Sequence, residues 1–388
     1  MLSIVFATLI KMVIILGFAI ALAAVLTWME RRQSAMMQDR IGPERAYLLP
    51  PRPGETLGRL RLWGLIHPLA DALKLATKED FVPPKANRAM YAIAPVFALA
   101  PVLLVFAVIP FGPPVMLDQL GHVLPRAAGE LNELMAHSAA AGQLHQLQVA
   151  HLDIGMLFVF AITSLSVYGA VLAGWSSHNT YGMLGGMRAA AQMFAYEITM
   201  GMAVMGAFLV YGTLEPQAVV QKQAELGQWG VVLQPLGFLL FLFAAIAETK
   251  RAPFDLPEGE SEIVGYFVEY SGARFMMFYL AEFVEIVFAA CLVTTLFFGG
   301  WQLPGLEAHG FSFWALPHWA VVLIQMLTFM AKVFFFCFLQ LAIRWSVPRM
   351  RYDQLMKLGW KGLLPASIIN VVITAGVVLW SQASTAVP

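Results

Sequence analysis

Ala245–Phe283 reads A-I-A-E-T-K-R-A-P-F-D-L-P-E-G-E-S-E-I-V-G-Y-F-V-E-Y-S-G-A-R-F-M-M-F-Y-L-A-E-F and joins two long apolar runs. It holds Glu248, Asp255, Glu258, Glu260, Glu262, Glu269 and Glu282, seven of the chain's 24 acidic residues in about a tenth of its length. Carboxylates are costly to place beside hydrocarbon, so a dense cluster wedged between apolar segments points to a proton or ion pathway. The plainer alternative is an acidic loop solvated at a membrane surface.

The flanks of this stretch set the fold class. Of the 388 residues, 59% are hydrophobic and 12% charged, about half the charged share of a soluble domain. Several apolar runs exceed eighteen residues, and helices satisfy their own backbone in lipid. The chain therefore reads as an all-α polytopic membrane protein, a single transmembrane domain over 1–388. Eight spans are expected, at Leu2–Trp28, Met90–Ile109, Ile154–Trp175, Ala189–Tyr211, Val231–Ala247, Gly272–Phe298, Trp319–Ile343 and Leu363–Trp380. The fifth is short and carries Pro235. The first is too long for a signal peptide and lacks a small-residue cleavage pattern, so it reads as retained. Twenty of the 24 Lys and Arg residues fall in the connections after spans 1, 3, 5 and 7, with Arg274 at the start of span 6 counted in the third of these, and only Arg126 and Lys222 in those after spans 2, 4 and 6. The positive-inside rule then places both termini in the periplasm. Cys291 and Cys337 lie inside apolar runs, too few for a disulfide framework or metal site, and no nucleotide-binding fingerprint is present.

Three connections stand out. The first, 29–89 on the cytoplasmic side, contains W-G-L-I-H-P-L-A-D-A-L-K-L-A-T-K, in which Leu65, Leu69, Ala72, Leu73 and Ala76 recur at helical spacing. An amphipathic helix at the membrane surface, or one packed on a soluble partner, fits that pattern. The second, 111–153, is outward-facing and carries His122, His137, His145 and His151, at spacings that match no metal-ligand pattern. The third is the acidic connection, 248–271. There Pro253 and Pro257 interrupt any helix, and Lys250, Arg251 and Phe254 combine cation and aromatic beside the acids. They suit either the mouth of a site for an amphiphile or plain interfacial anchoring.

Within the spans, each charge is informative. Glu197 lies roughly 12 Å into span 4 at 1.5 Å per residue; Glu282 and Glu285 sit on one face of span 6, and Lys332 lies in span 7. A proton relay is one reading; an ion pair of Glu282 or Glu285 with Lys332 is the other. On a helical wheel Glu258, Glu262 and Glu269 fall within about 40°, but Glu282 lies about 200° from Glu262. Continuity therefore needs a break, with Ser271–Gly272 the candidate.

The motifs E-R-R…Q-D-R-I-G-P, H-P-L-A-D-A-L-K-L-A-T-K-E-D-F-V-P, A-G-W-S-S-H-N-T-Y-G-M-L-G-G-M-R-A-A-A-Q-M-F-A-Y-E and E-T-K-R-A-P-F-D-L-P-E-G-E-S-E-I-V-G-Y-F-V-E-Y-S-G resemble the H subunits of NADH-quinone oxidoreductase, respiratory complex I, over nearly all spans. The resemblance implies a subunit of the bacterial inner membrane, between the peripheral redox arm and the antiporter-like subunits, forming much of the quinone chamber. It implies an acidic proton path of Glu248, Asp255, Glu258, Glu260, Glu262 and Glu269, with Glu197 and Asp71 as further members and Arg40, Lys74, Arg251 and Phe254 at the chamber and its mouth; Glu282 joins that path on its depth in span 6. The substrate would be a quinone, ubiquinone rather than menaquinone, with no flavin, iron–sulfur cluster, metal or nucleic acid bound by this chain. Two departures are the Pro-rich segment Glu44–Arg61 and the long connection 111–153.

Related subunits of membrane-bound hydrogenases and formate-linked complexes are the nearest alternative. A stand-alone secondary transporter would show inverted repeats, and none is seen. A structural anchor has no use for Glu197, Glu282 and Lys332 at lipid depth.

Overall fold

The computed structural model describes residues 2–47, 62–113, 115–116, 144–145, 147–259, 262–303 and 318–385. Glu260, His122, His137 and most of the two extra segments lie outside them. The described chain is helical apart from a two-residue antiparallel pairing of Val115–Met116 with Leu144–His145. Its helices are α1 (Leu2–Met37), α2 (His67–Thr77), α3 (Arg88–Leu104), α4 (Gly155–Thr163), α5 (Ser166–Ser176), α6 (Thr180–Tyr211), α7 (Pro216–Leu226), α8 (Gly230–Leu233), α9 (Pro235–Glu248), α10 (Gly272–Phe297), α11 (His318–Ser346), α12 (Tyr352–Lys357) and α13 (Leu364–Thr385). Among the described residues, seven helical segments are long and apolar enough to cross a membrane, and α9 is a shorter apolar one. This is the expected polytopic architecture.

The boundaries differ from the hydropathy reading for identifiable reasons. α1 continues nine residues past Trp28, and its charged end is held by ion pairs from Glu30 to Arg251, Arg31 to Asp71 and Arg32 to Glu44. The third span is two helices, broken at Ser164–Leu165. There the Thr163 hydroxyl donates to the Val159 carbonyl (3.0 Å) and Ser164 to Ala161 (2.9 Å), back-bonding that bends helices. α6 starts nine residues earlier than its hydropathy suggests: Asn179 caps it by accepting from the Tyr181 amide at 2.9 Å. It stops at left-handed Gly212, whose N–H donates to Phe208 O at 2.7 Å. The fifth span begins only at Pro235, after a break at Gln234 that ends α8. A π-helical turn, Leu358–Leu363, leads into α13.

The core centres on α10, buried on nearly every face from Ala281 to Phe297, with α1, α3, α6, α9 and α11 around it. Small residues set the close approaches, as is usual where helices associate in lipid. A Cβ on Gly169 of α5 would lie 2.6 Å from the Ala98 amide nitrogen of α3. Gly169→Val is therefore expected to force these helices apart and cost about 1–3 kcal/mol, read as a lowered thermal midpoint of the purified assembly.

The acidic connection lies at the end of the bundle shared by the C-terminal parts of α1 and α11 and the N-terminal part of α6, as its bonds to Glu30 and Gln192 and the close approach of Gly259 to the Arg349 side chain after α11 show. α2 packs against α1 and α10. Its inward side is His67, Asp71 and Leu75, while the stripe Leu65, Leu69, Ala72, Leu73 and Ala76 is exposed. An amphipathic helix with its apolar face turned outward fits the surface-helix expectation.

Candidate functional site: a buried charge cluster below the acidic loop

Between Thr249 and Ser271 the described backbone is not helical, so wheel angles do not apply to Glu258, Glu262 and Glu269. α10 starts directly after, at Gly272, where the sequence placed the break. Gln192 of α6, fully buried, holds the start of this segment. Its Nε2 donates to the carbonyls of Ala247 (2.6 Å) and Phe254 (2.8 Å). Behind it the Phe254 ring is buried against Tyr196.

The clamp delivers two adjacent cations into the bundle. Lys250 Nζ meets Glu285 Oε1 at 3.1 Å. Arg251 reaches Glu30 at 2.7 Å and Glu282 at 3.2 Å, with its guanidinium 3.9 Å above the Phe283 ring. Arg344 of α11 pairs with the other oxygen of Glu30 at 2.8 Å. Burial opposes both loop charges, but Glu285 and Glu282 outweigh it at Lys250, and Glu30, Glu282 and Glu258 at Arg251, so both pKa values are raised and both groups stay charged.

Glu258 completes the cluster. Burial, then the Glu282 carboxylate in hydrogen-bonding contact, pushes its carboxyl well above the usual range, against the pull of Arg251. Glu258 Oε1 and Glu282 Oε1 are buried with no N–H or hydroxyl donor among the described residues. Two abutting carboxyls in that position are satisfied when one carries a proton and donates it to the other. Tyr266, also buried, has its phenol pushed well up by burial and by Glu282, Glu258 and Glu285, so it remains a donor.

Glu248 ends α9 within electrostatic reach of Glu197 and Glu285. Glu248 and Glu285 together line a small cavity of about 20 Å³, with Thr163, Ser166 and Thr249 as its other polar groups. A cavity of this size with several polar groups in its wall has room for about one water. The arrangement can pass a proton between the cavity and the loop through Glu285, Glu282 and Glu258, with Lys250 and Arg251 setting which acids are ionised.

The structure divides the sequence-derived residues. Glu197, Glu248, Asp255, Glu258 and Glu282 belong to or adjoin this cluster, Asp255 through its interaction with Glu258. Glu262 does not: it sits on the rim, 48% exposed, bonded to Arg188 at 2.6 Å, which lowers its pKa. Glu269 accepts from Asn179 at 2.7 Å, and Asp71 pairs with Arg31 at 2.6 Å, both outside the cluster. Arg40 bonds Gln38 and Ser34 in the turn after α1; Lys74 is exposed on α2. Phe254 is buried, not placed at an opening. The considered pairing of Glu282 or Glu285 with Lys332 is replaced by Arg251 and Lys250; Lys332 Nζ donates instead to the carbonyls of Phe298, Gly300 and Gln302 beyond α10. Residues not picked from the sequence are Glu30, Arg344, Gln192 and Tyr266. Only Glu30 carried a signal, as the first charge after an apolar run.

Residues 10–375 match the NADH dehydrogenase family model. The chain is 40% identical to the second of the NADH-quinone oxidoreductase H subunits of Geobacter metallireducens, over 96% of its own length and 95% of the relative's. It is 40% identical to NADH-quinone oxidoreductase subunit 8 of Rhodothermus marinus over 95% and 96%. It is 36% identical to the first of the NADH-quinone oxidoreductase H subunits of Cytophaga hutchinsonii over 93% of each. With the match running through every span and through the acidic loop, the chain belongs to the family of NADH-quinone oxidoreductase H subunits.

Proposed function

We propose that this chain couples quinone reduction to proton translocation, in the inner membrane of a bacterium with both termini in the periplasm. The observation that carries the reading is the series Glu248, Glu285, Glu282 and Glu258, buried at Glu285 and Glu282 and half-buried at its two ends, interleaved with Lys250 and Arg251, that runs from the cavity to the loop. Reduction of a quinone consumes two electrons and two protons. The electrons come from the peripheral redox arm, and ubiquinone rather than menaquinone is the acceptor. Negative charge arising beside the loop attracts Lys250 and Arg251 and weakens their hold on Glu285 and Glu282. Those carboxylates then take up protons from the Glu248 cavity, and return of the cations expels them toward the antiporter-like subunits. An amphiphilic quinone approaches along the exposed Leu65, Leu69 and Leu73 of α2, where Arg40 and Lys74 meet its polar head.

The test is purification of the native assembly through a tag on this chain, with NADH-driven quinone reduction and proton uptake measured together. Co-purification of a flavin- and iron–sulfur-bearing arm with coupled activity supports the reading. A nickel–iron or formate-oxidising arm, or a chain that purifies alone and moves a solute, refutes it.

The Glu258 carboxyl gives a pH prediction. A carboxyl raised in the folded state contributes stability below its unfolded value, and that contribution is lost as pH rises toward the folded value. Glu258→Gln keeps the hydrogen-bond donor and cannot ionise. The difference in thermal midpoint between the variant and the parent assembly is expected to grow in the variant's favour from pH 5 to pH 8.

A further inference from the structure

At the opposite end of the bundle, three residues from distant parts of the chain converge. His151 and Asp153 precede α4, and Glu215 directly precedes α7; one donor atom from each lies within 4.8 Å of the other two. His151 Nδ1 is 3.0 Å from Glu215 Oε1. Backbone bonds fix all three in place: Val149 and Ala150 N–H both donate to Ala107 O (3.1 and 2.8 Å), and Met156 N–H to Leu214 O (3.1 Å). The histidine spacings carried no sign of this, because the other two donors are acidic and one follows 64 positions after His151.

The polar contacts around His151 conflict as they stand. The same Nδ1 also lies 3.1 Å from Nε2 of buried Gln148. As an N–H, Nδ1 donates to Glu215 but meets the amide N–H head-on; as a lone pair, it accepts from Gln148 but faces a carboxylate. Turning the amide brings its carbonyl oxygen to the ring nitrogen. A cation among the three donors then satisfies the imidazole lone pair, both carboxylates and the amide oxygen together. Asp153 adds a second carboxylate to the charge that a cation would neutralise.

Three points no more than 4.8 Å apart all lie within about 2.8 Å of a common centre (4.8/√3). Side-chain rotation alone closes the remaining gap to zinc–nitrogen and zinc–oxygen distances of about 2.0–2.2 Å. A donor set with one imidazole and two carboxylates selects zinc-like ions over magnesium or calcium, which prefer oxygen alone. We propose that His151, Asp153 and Glu215 bind a zinc-type divalent cation that staples the connection before α4 to the turn before α7. The site is independent of the buried charge cluster, and no step of quinone or proton chemistry runs through it.

The test uses the native assembly purified through a histidine-free tag, dialysed against buffered micromolar free Zn²⁺ with millimolar Mg²⁺. Bound zinc is counted per complex in the parent, in His151→Ala and in Asp153→Asn; both residues are exposed, so neither change threatens folding. One equivalent fewer in the variants, an affinity lower by roughly tenfold or more, and a zinc-induced rise in thermal midpoint confined to the parent are expected. Equal zinc in parent and variants, or displacement of the zinc by magnesium, overturns the assignment.

Discussion

Replacing Arg251 with methionine is expected to cost the assembly about 3–5 kcal/mol, the usual range when one partner is removed from a buried ion pair. The side chain of Arg251 is 6% exposed and that of Glu282 5%, so water cannot take over the lost role. One guanidinium serves two carboxylates on different helices, Glu30 of α1 and Glu282 of α10. After the change, Arg344 remains to neutralise Glu30, whereas Glu282 is left facing Glu258. The loss should appear as a lower thermal midpoint and a lower yield of intact complex. Arg251→Lys keeps the charge but loses the fork that reaches two acids at once, and should fall between. Arg251→Met combined with Glu282→Gln should recover part of the loss, since the uncompensated charge dominates the cost. A methionine variant that melts with the parent would show that the Arg251 bonds contribute nothing net.

Much of the fold was legible because hydropathy and charge act along the chain. Spans are marked by long apolar runs, and the acidic loop stands out against them. Legibility fell where a residue's partner lies far away in sequence. Glu30 looked like the end of a span, yet it is held by Arg251, 221 positions on, and α1 continues through it. Nothing in the sequence around Gln192 marks it; its role appears only once Ala247 and Phe254 are folded beneath it. Glu262 and Glu269 lie in the same motif as Glu258, but a non-helical loop turns its side chains to different surroundings, so a shared motif does not make a shared site. Asp71 sits off the apolar stripe of α2, and that position puts it on the side facing α1, half-buried and paired with Arg31. The six described acids of Ala245–Phe283 therefore sort by three-dimensional neighbours that no spacing rule encodes.

That sorting makes Glu248 the decisive position. Glu248→Gln is expected to lower coupled quinone reduction by about 10²-fold, the lower end of what a positioned proton-transfer group contributes, while the complex assembles normally. The separation of the two effects follows from its surroundings. Glu248 lines the cavity beside Glu285 and forms no ion pair among the described residues, so an isosteric amide strands no buried cation. Glu285→Gln is a poorer test: it removes the carboxylate paired to Lys250 at 3.1 Å, and lost activity would be mixed with lost stability. Glu262→Gln supplies the contrast, since its side chain is half-exposed and bonded to Arg188 at the rim; its activity should stay within about twofold of the parent, as for an exposed ion pair of small energetic weight. Measured side by side in intact complex, a collapse at 248 with near-parent turnover at 262 places the proton path in the buried cluster. Equal losses at both positions would return it to the loop surface, and full activity of Glu248→Gln would remove the cavity from the path.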